Sequence, residues 1–174
     1  SDLSSLLGEL RSRQNDAGAY KLWPGGDEVV EFVSLYTQHL LIEAGERGQA
    51  VPGDLVATGN KYLRSLAQRD GNNLTEERQT AYAIYLLTRQ GQRMAAEASA
   101  ARKRLAELHR GQWEADIAAA WLAAAMKLMR QERDAQGLIA NMRFDAAPDE
   151  LYYDPMTRDA LLLFVLSRHF PERL

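Results

Sequence analysis

Thr80 to Arg93, TAYAIYLLTRQGQR, and Ala119 to Arg133, AAWLAAAMKLMRQER, decide how this chain is read. Each has a large apolar residue early, runs through a turn rich in leucine or alanine, and ends polar. Two further stretches follow the same plan: Ser34 to Gly48, SLYTQHLLIEAGERG, and Asp159 to Arg173, DALLLFVLSRHFPER. Anchored on Tyr36, Tyr82, Trp121 and Leu162, they recur at intervals of 46, 39 and 41 residues. A period near 40 belongs to helix-pair repeats. A single pair cannot bury its apolar face alone, so the pairs must stack or close into a ring. The more apolar helix of each pair should lie inside. The more charged one, such as Gln92 to His109, should lie outside.

Outward from these anchors the apolar period stays helical. Leu3, Leu6, Leu7 and Leu10 mark a first helix, and Gln14 to Asp27 interrupts it with loop residues. Asp27 is placed to cap a second helix with Val29, Val33, Tyr36 and Leu40 on its core face, widened by Val30, Phe32 and Leu41. Gly45 and Gly48 stop it. Pro52 suits the first turn of a third helix carrying Leu55, Tyr62, Leu63 and Leu66. Thr75, followed by Glu76 and Glu77, is placed to cap a fourth, with Ala81, Tyr82, Ile84, Tyr85 and Leu86. Met94, Ala98, Ala101, Leu105 and Leu108 form a narrow seam on a fifth. Ile117, Trp121, Ala124 and Leu128 carry a sixth, and Leu138, Ile139 and Met142 a short seventh. After an irregular stretch from Arg143 to Tyr153, Asp154 and Pro155 open a last helix with Leu161, Leu162, Phe164, Val165 and Leu166, ended by Pro171. No strand pattern is visible.

Composition narrows the chemistry. The 174 residues are 46% hydrophobic and 26% charged, as in a globular domain or a contiguous piece of one. The absence of cysteine excludes disulfides, thiolate zinc sites and thiol nucleophiles within these residues. A net charge of −3 does not favour nucleic acid or an anionic membrane surface as partners. No apolar run approaches the ~20 residues of a membrane span; Ile117 to Met126 is mostly alanine and Lys127 follows it. No basic segment followed by an apolar one reads as a secretory signal.

Candidate sites each have a plainer reading. His39, His109 and His169 lie on different helices with no metal-ligand spacing. His39 suits a hydrogen-bonded structural role, and the other two suit helix C-termini. Asp145, Asp149, Glu150 and Asp154 are carboxylates of the kind that bind calcium, but their spacing fits a solvated linker better. Tyr20, Trp23, Tyr152 and Tyr153 either face a partner or plug the ends of the helix pairs, and the second is the simpler expectation. The loop Leu22 to Asp27, LWPGGD, precedes a helix start, yet Asp27 and Glu28 already place negative charge where a phosphate would sit. No catalytic, cofactor-binding or metal-ligating residue is assigned, and neither a cofactor nor a metal is expected.

The stretch Gly18 to Leu63, GAYKLWPGGDEVVEFVSLYTQHLLIEAGERGQAVPGDLVATGNKYL, resembles the α2-macroglobulin and complement thioester-domain family, especially its bacterial α2-macroglobulin-like members. The matching positions are Gly18, Tyr20, Trp23, Ser34-Leu35-Tyr36, Leu40-Leu41, Gly48 and Val51-Pro52. Tyr152 to Glu172, YYDPMTRDALLLFVLSRHFPE, is similar to a later segment of the same family. The resemblance implies an all-α fold, an α/α toroid of helical hairpins. About eight helices are fewer than the full six-hairpin ring, so residues 1–174 are expected to be a single partial toroid domain. It lacks the Cys-x-Glu-Gln segment that forms the family's reactive thioester. Nor does Asp70 to Thr80 hold the histidine that assists acyl transfer in many vertebrate members.

The expected function is therefore a non-catalytic scaffold within a larger protease-trapping protein. Its partners are the remaining domains of the same polypeptide and the proteases the whole protein traps. By resemblance its location is the periplasm, with inner-membrane association through other parts of the protein. Two alternatives stand beside it. One is a toroid enzyme of the terpenoid cyclase or glycoside hydrolase type, which needs paired carboxylates or an aspartate-rich metal motif; Glu31, Glu43, Asp116 and Asp159 are scattered. The other is a tetratricopeptide-like adaptor, disfavoured because the repeat runs nearer 40 than 34 residues.

Overall fold

A computed structural model describes residues 2–145 and 147–174. Ser1, within the expected domain, and Ala146, within the expected irregular stretch, lie outside the described residues. The fold is all-α. Eight α-helices are formed among the described residues: α1 (Asp2–Arg13), α2 (Glu31–Glu46), α3 (Gly53–Ala67), α4 (Leu74–Arg89), α5 (Ala95–Leu108), α6 (Ile117–Leu128), α7 (Glu132–Ala140) and α8 (Pro155–His169). Among the described residues extended pairing is confined to isolated bridges, Gln14 with Tyr20, Lys21 with Val29 and Glu150 with Tyr153. The chain divides into two compact units, residues 1–66 and 67–174.

In the first unit, Leu7, Tyr20, Leu41 and Leu55 form a small apolar cluster, with Leu3, Leu10, Val51 and Val56 packed around it. Beside it lies a polar lattice. The Gln38 side chain donates to the Val56 carbonyl at 2.8 Å and to Asn60 Oδ1 at 3.1 Å, and accepts from the Tyr20 hydroxyl at 3.0 Å. Ser34 Oγ accepts from the Tyr20 backbone N–H at 2.9 Å. This lattice rotates α2 away from the face expected from its apolar period. Ser34, Leu35, Gln38, His39, Leu41 and Ile42 are buried, while Tyr36 and Leu40 are exposed. Polar side chains take the interior because they pair with the buried Tyr20 N–H of the loop and with Val56 and Asn60 of α3, and buried donors and acceptors must be paired. Asp27 does not cap α2. Val29 is extended and bridged to Lys21, so the helix starts two residues later, with Val30 at the N-cap and no side-chain cap bond.

Two glycines allow the close approaches here. Gly18 has φ +92°, and a Cβ there would lie 2.0 Å from the Thr58 carbonyl oxygen. A Cβ on Gly59 would lie 2.1 Å from Gln38 Oε1.

The second unit is organised on α4 and α6. α6 packs most extensively on α4 and α7 and also on α8, while α5 covers α4. Every residue from Glu77 to Thr88 of α4 and from Ile117 to Met126 of α6 is buried. The alanines of α6 let its neighbours approach closely, and the aromatic anchors fill the space that remains. Tyr82 stacks on Trp121 with centroids 4.2 Å apart and rings 3° from parallel, and Tyr85 lies 5.0 Å from the same indole. Two of the four repeat anchors thus meet face to face. α5 buries only Ala98, Ala101 and Leu105 of its own residues, plus the preceding Met94, as expected of an outer helix. Leu108, the last member of that seam, is exposed.

The fourth helix is capped by Asn73, whose side chain accepts from the Glu76 N–H at 2.8 Å, and not by Thr75. Thr75 is already helical and donates to Glu150 instead. Asp154 and Pro155 open α8 as expected, the Asp154 carboxylate accepting from the Thr157 N–H at 2.7 Å. That bond holds its pKa below the usual aspartate value.

Candidate functional site: a buried arginine clamp

The most concentrated polar chemistry of the second unit lies where α4, α6 and α8 begin. Arg78, one turn into α4, is buried. Its Nε donates to both carboxylate oxygens of Asp116 at 3.0 Å, and its Nη2 donates to Oδ2 at 2.7 Å. The other side of the guanidinium meets Glu150, with Nη1 to Oε2 at 3.0 Å and Nη2 to Oε1 at 3.2 Å. The Tyr153 ring lies under it, 3.6 Å from the guanidinium carbon. Asp116 is also the N-cap of α6, accepting from the Ala118 N–H at 2.9 Å. The Tyr153 hydroxyl accepts from the Ile117 N–H at 2.9 Å.

The electrostatics follow from this geometry. Burial pulls the Arg78 pKa down, but the hydrogen bonds and charge of Asp116, joined by Glu150, outweigh it and leave the group more basic than a free arginine. Glu150 is shifted below the usual glutamate value, chiefly by its hydrogen bonds from Arg78. Burial, reinforced by the charge of Asp116, pushes Tyr153 up, so it stays a neutral phenol. Around neutral pH the cluster joins a charged guanidinium and the Glu150 carboxylate to a neutral phenol. It can fix three helix starts and the loop before α8 relative to one another.

A second buried charge ties α5 to α4. Glu77, with no exposed surface, accepts from Arg104 Nε at 2.7 Å and from the Gly71 N–H at 2.8 Å. At the far end of α8, the His169 imidazole Nε2 is 2.7 Å from the Tyr85 hydroxyl.

The sequence candidates fall as follows. Of the four clustered carboxylates, Glu150 belongs to the clamp and Asp154 caps α8. Among the described residues, no three His, Cys, Asp or Glu side chains gather as a metal-binding group. Tyr20 and Tyr153 are buried plugs, whereas Trp23 and Tyr152 are exposed, so the four loop aromatics divide. Tyr152 takes a left-handed φ of +67°, which turns its side chain away from its buried neighbour. The Leu22 to Asp27 loop does not lead into a helix N-terminus, because α2 starts at Glu31. His39 is buried, edge-on to Tyr36 at 6.4 Å. His109 is the residue after α5 and His169 the last of α8, where helix C-termini were expected to hold them. Of the carboxylates weighed for an enzyme, Asp116 is engaged by Arg78 and Asp159 lies exposed beside Arg158, whose Nε donates to it at 3.0 Å.

The clamp leaves little trace in the sequence. An arginine inside the apolar α4 and an aspartate just before the apolar run of α6 are the two available signals, but 38 residues separate them.

These features define an all-helical hairpin segment held by internal ion pairs. Comparison with known proteins gives the family. The chain is 33% identical to an α2-macroglobulin of Rickettsia conorii over 99% of its own length, and 32% identical to an α2-macroglobulin homologue of Yersinia pestis over the same share. Along nearly its whole length it is therefore homologous to one segment of bacterial proteins named α2-macroglobulin, and it spans 9% of the length of each of these relatives. No family model matches. The fold agrees with the native conformation of Escherichia coli α2-macroglobulin, with a TM-score of 0.80 at 23% identity, over 96% of this chain and 11% of that one. It also agrees with native E. coli α2-macroglobulin spanning domain MG7 to the C-terminus, with a TM-score of 0.79 at 21% identity, over 96% of this chain and 28% of that one.

Proposed function

We propose that these residues are a non-catalytic part of the helical, thioester-type domain of a bacterial protease-trapping protein. The observation that carries this reading is homology along nearly the whole chain to proteins named α2-macroglobulin. Residues 1–174 then form a partial toroid, completed by hairpins elsewhere in the same polypeptide. Remaining domains of that polypeptide are its direct partners, and target proteases are partners of the whole. The setting is extracytoplasmic, the periplasm above all. Among the described residues no helix is long and apolar enough to cross a membrane.

The role of the segment is mechanical. Cleavage elsewhere shifts an arrangement of domains, and a domain that transmits such a shift must move as a body. Within residues 67–174 the clamp and the aromatic stack supply such rigidity. The test is native mass spectrometry and small-angle scattering of the full-length protein, with and without an active protease. A protease-dependent complex and a change of shape are expected; neither appearing would overturn the reading.

A further inference from the structure

α8 carries an apolar face that the second unit leaves open. Met156 and Leu163 are 82% and 57% exposed, and with the exposed Ala160 they recur at i, i+4 and i+7. That is the stripe by which a helix seats on a neighbour. Beside it lies a groove of about 430 Å³, floored by Phe144, Leu162, Leu163 and Leu166. Arg158 and Asp159 stand at its margin. The small Ala160 between two long side chains leaves a depression that accepts the ridge of another helix.

The repeat shows what such a face is for. α6, the preceding apolar helix, packs on both α4 and α8, whereas the extensive packing of α8 is with α6. Stacked helix pairs meet solvent only through a polar capping face. α8 instead presents large hydrophobics, and clustered ones mark a contact surface. The relatives supply length for an occupant, since the chain covers 9% of them.

We propose that the Met156–Ala160–Leu163 face and the Phe144 groove receive a helix of the same polypeptide, from outside residues 1–174. This rests on the reading of the chain as a piece of a larger helical domain. It adds the joint at which the next helix seats and the residues that make it.

The experiment uses the full-length protein with a photo-crosslinking phenylalanine analogue at Met156 or Leu163, and at the exposed Lys103 of α5 as a control. Mixing light and heavy isotope-labelled protein separates links within one molecule from links between two. The expected result is that positions 156 and 163 crosslink within one molecule to a single helical segment outside residues 1–174, which Lys103 does not reach. Links to a second molecule, to a protease or to a non-helical segment would overturn the proposal, as would their absence. Protease trapping is measured on the same samples. Trapping without the crosslink removes this joint alone; the crosslink without trapping removes the protease-trap reading and leaves the joint standing.

Discussion

The two units reach rigidity by opposite routes. Residues 1–66 place amides and hydroxyls at their centre: Gln38 lies among Tyr20, Val56 and Asn60, and the apolar cluster beside it is small. Residues 67–174 have alanines and aromatics at their centre and put ion pairs where helices begin. Hydrogen bonds are directional and short, so the first unit depends on close backbone approach at glycines. Apolar packing is adaptable in direction but not in volume, so the second unit depends on small side chains in α6. The lesson is that one repeat can be specified by shape or by polar pairing.

The largest expected effect breaks the second unit through its charges. Arg78→Met leaves Asp116 buried without its partner, a change that costs about 3–5 kcal/mol. Chemical denaturation should show that loss, and hydrogen exchange should accelerate in residues 67–174 more than in 1–66. Adding Asp116→Asn removes the stranded charge and should restore part of the stability. If the single variant lost less than about 1 kcal/mol, the clamp would be ornamental.

The first unit should break at its glycines. Gly59→Ala drives a methyl group into Gln38, and overpacking of this kind costs about 1–3 kcal/mol. Gly18→Ala meets a backbone oxygen and a left-handed φ together, so it should be the more damaging of the two. Thermal unfolding of both variants ranks them. A further probe of the same lattice is Gln38→Leu, which removes the acceptor of the Tyr20 hydroxyl and the donor to Asn60 Oδ1 and should cost about 1–3 kcal/mol. Faster exchange confined to residues 1–66 would confirm that the two cores answer separately.

Glu150 gives the smallest effect and sharpens the contrast by pH. Its folded pKa lies below the unfolded value because Arg78 donates to it. Its contribution is therefore complete above the unfolded glutamate pKa and fades as pH falls through the folded one. Its side chain is 42% exposed, so screening limits the contribution to about 0.5 kcal/mol. Stability curves of the wild type and Glu150→Gln should differ near neutral pH and converge in acid. Curves that diverge in acid would assign the wrong sign to this contact.

Much of this architecture was legible in the residues. Asp154-Pro155 marks a helix start by local chemistry alone, and Gly91 directly follows the C-cap of α4 with a φ of +81°. The Tyr82 and Trp121 anchors were visible as a repeat because each helix pair solves the same burial problem. What failed was decided by partners distant in sequence. Val29 and Tyr36 fit a helical period, yet a bridge to Lys21 and the bonds of Gln38 to α3 set where α2 begins and which face it buries. Thr75 satisfies every local rule for a cap, but Asn73 reaches the orphan N–H first. Glu150 read as one of four solvated acids because nothing nearby in the chain announces Arg78.

The stacking of Tyr82 on Trp121 has an optical consequence. The chain has three tryptophans, and they occupy unlike surroundings. Trp121 is sealed between phenol rings, Trp113 is nearly enclosed, and Trp23 stands 65% exposed in a loop of residues 1–66. A collisional quencher in solution will reach Trp23 and leave Trp121 bright. Emission from a protein that keeps Trp23 alone, or Trp121 alone, of the three would then follow one unit at a time, using light the molecule already emits.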